Sequence, residues 1–200
     1  MPEPIDFYFD FSSPYGYVGA CRVEEMAARH GREVAWRPYL MGASFQVTGR
    51  QPLLSVPLVG EYSRRDLART VRLHQVPFSL PEKFPVMTVG AARAFYWIAD
   101  RDVDAAKRFA LAVFRAYFAD GRDISDNEVV ADIAAEGSED REGLIGAIGD
   151  QAMKDRLRAE TDAALERGVF GSPFFLVDGE PFWGNDHMDQ VERWLETGGW

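Results

Sequence analysis

The stretch that decides the fold is Ile5-Asp6-Phe7-Tyr8-Phe9-Asp10-Phe11-Ser12-Ser13-Pro14-Tyr15. Apolar residues occupy every second position from Ile5 to Phe11, which is the period of a β-strand with one face in a core. A proline after two serines suits the first turn of a helix. The sequence therefore predicts a strand that runs directly into a helix through a two-serine turn.

The residues that follow extend this pattern to a β-α-β unit. Apolar residues recur at helical spacing until His30 and Gly31, and residues 33–40 form a plausible second strand. Pro38 predicts that this strand ends there or lies near a sheet edge. Two strands joined by a helix pair in parallel through a right-handed crossover.

From about residue 50 to Pro85 the chain is punctuated by proline and glycine. It then becomes helical in pattern and returns to strands only near its C-terminal end. The predicted helices cover about 88–99, 102–119, 126–135, 140–149 and 151–167. Ser125 with Glu128 has the spacing of a capping box at one helix start. The tail predicts two strands joined by a turn at Asp178 and Gly179, then a last helix through Trp194.

These elements predict an α/β fold with a thioredoxin-like core, β-α-β and β-β-α, interrupted by a large all-helical insertion. We assign residues 1–45 and 168–200 to the thioredoxin-like domain and residues 46–167 to the inserted helical domain.

Composition excludes several classes of protein. The net charge of −10 argues against a nucleic-acid partner, which needs clustered cations. The lone cysteine, Cys21, excludes an intramolecular disulfide, a CxxC redox pair and a cysteine-rich metal site. The three histidines are isolated in sequence, so we predict no bound metal.

The segment from Met1 to Asp6 lacks signal-peptide features, and no apolar run is long enough for a membrane helix. We therefore expect a soluble, cytoplasmic protein without a membrane partner.

The strand-to-helix turn is the first candidate site. A helix N-terminus presents unpaired N–H groups and the positive end of the macrodipole, which favour an anion. In thioredoxin-like folds this position holds a redox cysteine; here hydroxyls replace it, so the anion must arrive with a ligand. The alternative is that Ser12 or Ser13 only caps the helix.

Two further motifs lie in the C-terminal strands. A cis bond between Ser172 and Pro173 would expose backbone groups able to pair with an extended peptide such as glutathione, although an ordinary trans proline is the commoner state. The run Gly184, Asn185 and Asp186 could hold the charged end of such a peptide, although such residues also serve as routine helix caps.

Together, these motifs resemble those of the 2-hydroxychromene-2-carboxylate isomerases, which belong with the kappa-class glutathione transferases and DsbA-like folds. The matching segments are 7–15, 170–173 and 183–186, and the likeness covers nearly the whole chain. The resemblance places the catalytic role on Ser13, the serine directly before proline.

The resemblance implies glutathione as cofactor, with Ser13 donating a hydrogen bond to its sulfur. Ser172 beside a cis Pro173 would pair with the tripeptide backbone, and residues 184–186 would hold its γ-glutamyl end. It also implies a homodimer and a small aromatic substrate, a 2-hydroxychromene-2-carboxylate that interconverts with trans-o-hydroxybenzylidenepyruvate. Alternatives are a kappa-like transferase or peroxidase, and a non-catalytic peptide-binding module.

Three positions depart from the family pattern. Gln46 stands where a lysine is expected, Met87 where asparagine is frequent, and Gly16 where serine is common. All three changes remove polar groups or charge near the expected substrate site. We predict Gln46, Arg50 and Met87 as substrate-binding residues, with a compensating cation supplied by one of three arginines: Arg37, Arg50 or Arg69.

Two other residues are secondary candidates. Asp10 shares the strand face opposite the phenylalanines, near the turn, where its ionisation is open to perturbation. Cys21 lies among apolar residues about two helical turns beyond Ser13, and we expect a small buried filler in preference to a reactive thiol.

Overall fold

A four-stranded mixed sheet forms the centre of the fold. The computed structural model describes residues 3–200, so Met1 and Pro2, the first two residues of the segment without signal-peptide features, lie outside the described residues. The strands are β1 (Ile5–Phe9), β2 (Val34–Pro38), β3 (Phe174–Val177) and β4 (Glu180–Trp183). Their spatial order is β2-β1-β3-β4; β1 and β2 are parallel, while β1-β3 and β3-β4 are antiparallel. This is the predicted thioredoxin-like core, with Pro38 in an edge strand.

The rest of the described chain is largely helical. The α-helices are α1 (Pro14–Arg29), α2 (Met41–Thr48), α3 (Val59–Leu73), α4 (Val89–Ala99), α5 (Val103–Phe118), α6 (Asn127–Glu136), α7 (Arg141–Gly149), α8 (Gln151–Glu166) and α9 (Met188–Thr197). Short 3₁₀ helices cover Leu53–Ser55 and Asn185–His187. Helices α4 to α8 follow the predicted segments within about two residues. Within residues 3–200, no helix has the length and apolar character needed to cross a bilayer.

Helices α2 and α3 were not predicted. The buried residues of α3 are Gly60, Ser63, Leu67 and Val71, and their spacing of three or four residues is helical. Two of the four are glycine and serine, so the buried stripe does not appear as a hydrophobic pattern. Helix α2 covers residues 41–48 and thus runs across the predicted domain boundary between residues 45 and 46.

Helix α6 has a different cap from the predicted one. Asp126 is its N-cap residue, and the Asp126 carboxylate accepts a hydrogen bond from the backbone N–H of Glu128 at 2.9 Å. The Ser125 hydroxyl instead donates to the Asp123 carboxylate at 2.5 Å. The prediction that Ser125 opens this helix is therefore wrong, because the neighbouring aspartate is an equally good cap.

The hydrophobic core is continuous from the sheet into the helical segment. The Phe114 ring of α5 lies 5.6 Å from Phe9, 5.1 Å from Phe11 and 5.6 Å from Tyr17, measured between ring centroids. On the other face of the sheet, Tyr8 belongs to a smaller apolar cluster. Among the described residues, neither cluster includes any position in the stretch 42–66. That stretch is therefore peripheral to the packed core.

Candidate active site

Ser13 is the N-cap residue of α1, in the turn that follows β1. Its hydroxyl oxygen accepts a hydrogen bond from the Gly16 N–H at 3.0 Å, which is ordinary capping. The same hydroxyl donates to the carbonyl oxygen of Ser172 at 2.8 Å, and the Ser13 residue is only 4% exposed. The second bond joins positions 159 residues apart in the chain. Ser13 therefore caps the helix and also connects the two predicted motifs.

Ser172 and Pro173 begin the last two-stranded part of the sheet. The peptide bond between them is cis, the state that the family resemblance implied and that base rates alone disfavoured. The Ser172 hydroxyl accepts a hydrogen bond from the Asp10 N–H at 3.0 Å. The Pro173 carbonyl accepts one from the Gly184 N–H at 3.0 Å. The fold thus brings the turn, the proline segment and the start of the 184–186 run into one place.

Gly16 lies inside the contact between the two serines. A Cβ atom at Gly16 would lie 2.6 Å from the Ser172 hydroxyl oxygen and 3.1 Å from the Ser13 Cβ. A serine at this position would therefore require Ser172 to move. The missing side chain of Gly16 thus gives Ser172 room beside Ser13.

Asp10 is a buried carboxylate beneath this turn. It accepts hydrogen bonds from the Ser12 N–H at 2.8 Å, the Met41 N–H at 2.9 Å and the Thr88 hydroxyl at 3.0 Å. Burial raises the pKa of Asp10, and these three hydrogen bonds oppose the rise. One side chain thereby ties the Ser13 turn to the first residue of α2 and to the residue before α4.

A cavity of about 300 Å³ opens beside the Ser13 hydroxyl. Ser13 and Ser172 are among its polar lining residues, and much of the wall is apolar or aromatic. The aromatic lining residues are Phe45, Phe84, Phe170 and Trp183, with Tyr15 beside Ser13. A concave apolar site with few convergent polar groups is the usual form of a small-molecule site.

Of the three predicted substrate-binding residues, Arg50 lines this cavity, whereas Gln46 and Met87 do not. Gln46 is exposed, although its neighbour Phe45 lines the wall. Met87 is 73% exposed and faces a separate surface cavity. The structure therefore places Gln46 and Met87 outside the cavity that contains Ser13, a separation that sequence order alone does not reveal.

The structure also distinguishes the three candidate cations. Arg37 pairs with Asp6 at 2.5 Å, and Arg69 pairs with Asp66 at 2.5 Å. Neither of these arginines lines the cavity that contains Ser13. Arg50 is therefore the one of the three that can reach a ligand there.

The run from Gly184 to Asp186 lies next to the cavity residue Trp183. Gly184 has φ of +104°, a backbone conformation that favours glycine. Asn185 is buried, and its side-chain oxygen accepts a hydrogen bond from Arg22 at 2.8 Å. The Asp186 side chain is 83% exposed and so can meet a cation from solvent. Arg22 was not predicted, since nothing in the sequence of α1 links it to Asn185.

Cys21 does not fill the core. It is exposed on α1, because the helical turn places it away from the buried face that includes Val18 and Val23. Partial desolvation raises the pKa of its thiol to about 11. The expectation of a buried filler is therefore wrong, while a thiol with this pKa is protonated and unreactive near neutral pH.

A family model, related sequences and a solved structure all match nearly the whole chain. The family model of the DSBA-like thioredoxin domain matches residues 4–196. The 2-hydroxychromene-2-carboxylate isomerase of Sphingobium xenophagum is 27% identical over 201 residues, covering 98% of this chain and 99% of the relative. Glutathione S-transferase kappa 1 of Rattus norvegicus is 25% identical over 214 residues, covering 97% and 93%. A solved 2-hydroxychromene-2-carboxylate isomerase has the same fold, with a TM-score of 0.87 at 24% identity over 96% of this chain and 94% of that one.

Proposed function

The chain belongs to the family of DSBA-like thioredoxin domains, and from that premise we propose that it is a glutathione-dependent isomerase. The family resemblance and the thioredoxin-like fold predicted from the sequence are confirmed. The proposed reaction interconverts a 2-hydroxychromene-2-carboxylate, or a related aromatic compound, with its ring-opened benzylidenepyruvate. Relatives named for this isomerase activity and for kappa-class transfer support an enzyme of this group.

One observation carries the proposal: the Ser13 hydroxyl sits at the start of a 16-residue helix, hydrogen-bonded to Ser172, at the wall of an apolar cavity. The donors there suit a thiolate, because they are a hydroxyl and the amides of a helix N-terminus. The first turn of this fully described helix carries no acidic side chain to oppose an anion. The residues present therefore fit glutathione.

Each predicted residue has a distinct task in this proposal. The Ser13 hydroxyl would donate its hydrogen bond to the sulfur in place of the Ser172 carbonyl. Ser172 would offer its backbone to the tripeptide, and Asn185 with Asp186 would hold the γ-glutamyl end. Bound glutathione would supply a thiolate nucleophile for reversible addition to the conjugated double bond, so that rotation about a single bond and elimination of the thiolate would give the other isomer.

The size of the Ser13 effect follows from hydrogen-bond energies. A hydrogen bond to a charged group contributes about 1.5–3 kcal/mol. Since one pKa unit corresponds to about 1.4 kcal/mol, Ser13 would lower the pKa of the bound thiol by about 1–2 units. The helix N-terminus adds a favourable contribution of up to about 2 kcal/mol. Together these effects would keep most of the bound thiol ionised near neutral pH.

The experiment is a pH titration of the ultraviolet thiolate absorbance of bound glutathione. We expect the Ser13→Ala protein to show a thiol pKa higher by about 1–2 units than the parent. Ser12→Ala is the matched control, because the neighbouring hydroxyl accepts from the Val86 N–H, and it should leave the thiol pKa unchanged. An identical titration in the parent and Ser13→Ala proteins would remove Ser13 from this role.

The second candidate is a kappa-like transferase or peroxidase that uses the same glutathione site, favoured by the kappa-class relative. Transfer consumes glutathione stoichiometrically, whereas isomerisation leaves its concentration unchanged. Assaying free thiol during turnover of the chromene and of an alkylating electrophile separates the two activities. Absence of glutathione binding in calorimetry would instead favour a non-catalytic peptide-binding module.

We also propose that the protein is a cytoplasmic homodimer, as the family resemblance implies. Apolar side chains are exposed at the start of α3, with Leu58 at 91% and Tyr62 at 61% exposure. Such side chains suit contact with a second copy. Size-exclusion chromatography with light scattering tests this, and the mass of one chain across the micromolar range would refute it.

A further inference from the structure

Arg50 is seated on two aromatic rings in the wall of the cavity. The centre of its guanidinium lies 4.9 Å from the Phe170 ring and 4.9 Å from the Trp183 ring. The two rings are themselves 5.0 Å apart, with an interplanar angle of 65°. Stacking on aromatic faces restricts a guanidinium and leaves its N–H edges available to a planar acceptor. Arg50 is thus a preoriented donor at the edge of an apolar site.

The charges of the cavity support an acidic ligand for this donor. Among the described residues, the titratable side chains that line it are Asp10, Tyr15 and Arg50. The Asp10 carboxylate is turned toward its three hydrogen-bond donors, and the Tyr15 hydroxyl donates to Asp66 at 2.7 Å. Arg50 makes neither an ion pair nor a hydrogen bond with any residue from 3 to 200. Its positive charge is therefore free for a ligand.

We propose that Arg50 binds the carboxylate of the aromatic acceptor and makes the cavity selective for aromatic compounds that carry a carboxylate group. This deepens the proposed function and rests on it. The planar, two-pronged geometry of a guanidinium matches a carboxylate, while Phe45, Leu53 and Phe84 form an apolar wall for the ring. Arg50 lies four residues after Gln46. In this proposal Arg50 supplies the positive charge that a lysine at position 46 would have provided.

A carboxylate at Arg50 has two sources, the acceptor and the glycine end of glutathione, and the experiment separates them. Calorimetry measures the affinity of the saturated analogue of o-hydroxybenzylidenepyruvate and of its methyl ester, with and without S-methylglutathione. The proteins are the parent, Arg50→Gln, Arg50→Lys and the control Arg101→Gln. Arg101 is a matched control, because its guanidinium lies 3.6 Å from the Trp97 ring and Arg101 is outside the cavity.

We expect the parent to prefer the acid over the ester. Arg50→Gln should weaken binding of the acid by about 10- to 100-fold and leave the ester unchanged. Arg50→Lys should retain part of the preference, because lysine keeps the charge but not the two-pronged geometry. Arg101→Gln should behave as the parent.

Two results would overturn the proposal. One is a parent protein that binds acid and ester equally. The other is an Arg50→Gln protein that keeps the acid preference but binds glutathione about 10- to 100-fold more weakly, which would assign Arg50 to the glycine carboxylate. Failure of the proposed function is seen separately as absence of glutathione binding in the parent, and the titrations without S-methylglutathione still test Arg50.

Discussion

Replacing Asp10 by asparagine tests whether one buried carboxylate holds the Ser13 turn in place. In the parent, the two carboxylate oxygens accept from Ser12, Met41 and Thr88. An asparagine keeps one oxygen for Ser12 and Thr88 but presents an NH₂ group to the Met41 N–H. We therefore expect Asp10→Asn to lose one hydrogen bond and to leave a buried donor facing a donor.

The magnitude follows from these contacts. A lost hydrogen bond to a charged group costs about 1.5–3 kcal/mol and an unsatisfied buried N–H costs about 1–3 kcal/mol. Removing a buried charge recovers part of this, because the desolvation that raises the pKa of Asp10 disappears. We expect a net loss of about 2–4 kcal/mol at neutral pH, a large share of the roughly 5–15 kcal/mol typical of a folded domain. Asp10→Ala, which leaves all three donors without an acceptor, should lose more.

The assay is urea unfolding followed by circular dichroism, with Glu180→Gln as an exposed control. The pKa of Asp10 is raised in the folded protein, whereas an unfolded aspartate has its ordinary pKa of about 3.9. The free energy of unfolding of the parent therefore falls as the pH rises from about 3.9 through the raised folded pKa. Asp10→Asn lacks this dependence, so the stability gap between parent and mutant should narrow with rising pH across that window. A loss below about 0.5 kcal/mol, which is ordinary for surface substitutions, or a gap that widens with pH, would refute the reasoning.

Three further changes probe other contacts. Gly171→Ala would place a Cβ 2.1 Å from the Trp183 indole nitrogen. We therefore expect a shift of the tryptophan fluorescence spectrum and weaker glutathione binding. An unaltered spectrum would contradict this close approach of the ring. Phe114→Ala should reduce the free energy of unfolding by about 3–5 kcal/mol in urea melts, whereas a loss under about 1 kcal/mol would deny its central place in the core. Cys21→Ser should leave glutathione binding and activity at the parent level. Iodoacetamide should label Cys21 slowly at neutral pH, because its thiol pKa is about 11. Rapid labelling would contradict that pKa.

The sequence predicted the parts of the fold that carry strong periodic signals. The alternation in β1 and the apolar spacing of α4 to α8 identified the core, because apolar residues recur in these segments at the period of a strand or a helix. Helix α3 was not predicted, because Gly60 and Ser63 are two of its four buried residues and give no hydrophobic pattern. The N-cap of α6 was predicted one residue too early, because serine and aspartate are equally good N-cap residues and Ser125 directly precedes Asp126.

The site was predictable where a motif is local and not where it depends on tertiary contacts. Ser13 and Ser172 stand in recognisable turns, and the fold brings them to 2.8 Å. The choice of Arg50 over Arg37 and Arg69 needed the positions of Asp6 and Asp66, which occupy the other two arginines. No local sequence pattern contains that information.

The stretch 42–66 has a consequence for how this protein could change in evolution. It supplies Phe45, Arg50 and Leu53 to the cavity wall, yet it contributes nothing to the two apolar clusters of the described chain. Surface substitutions outside a packed core usually alter stability by less than about 0.5 kcal/mol. New acceptors could therefore be acquired by mutating this stretch, while the core beneath the Ser13 turn keeps the proposed glutathione site unchanged.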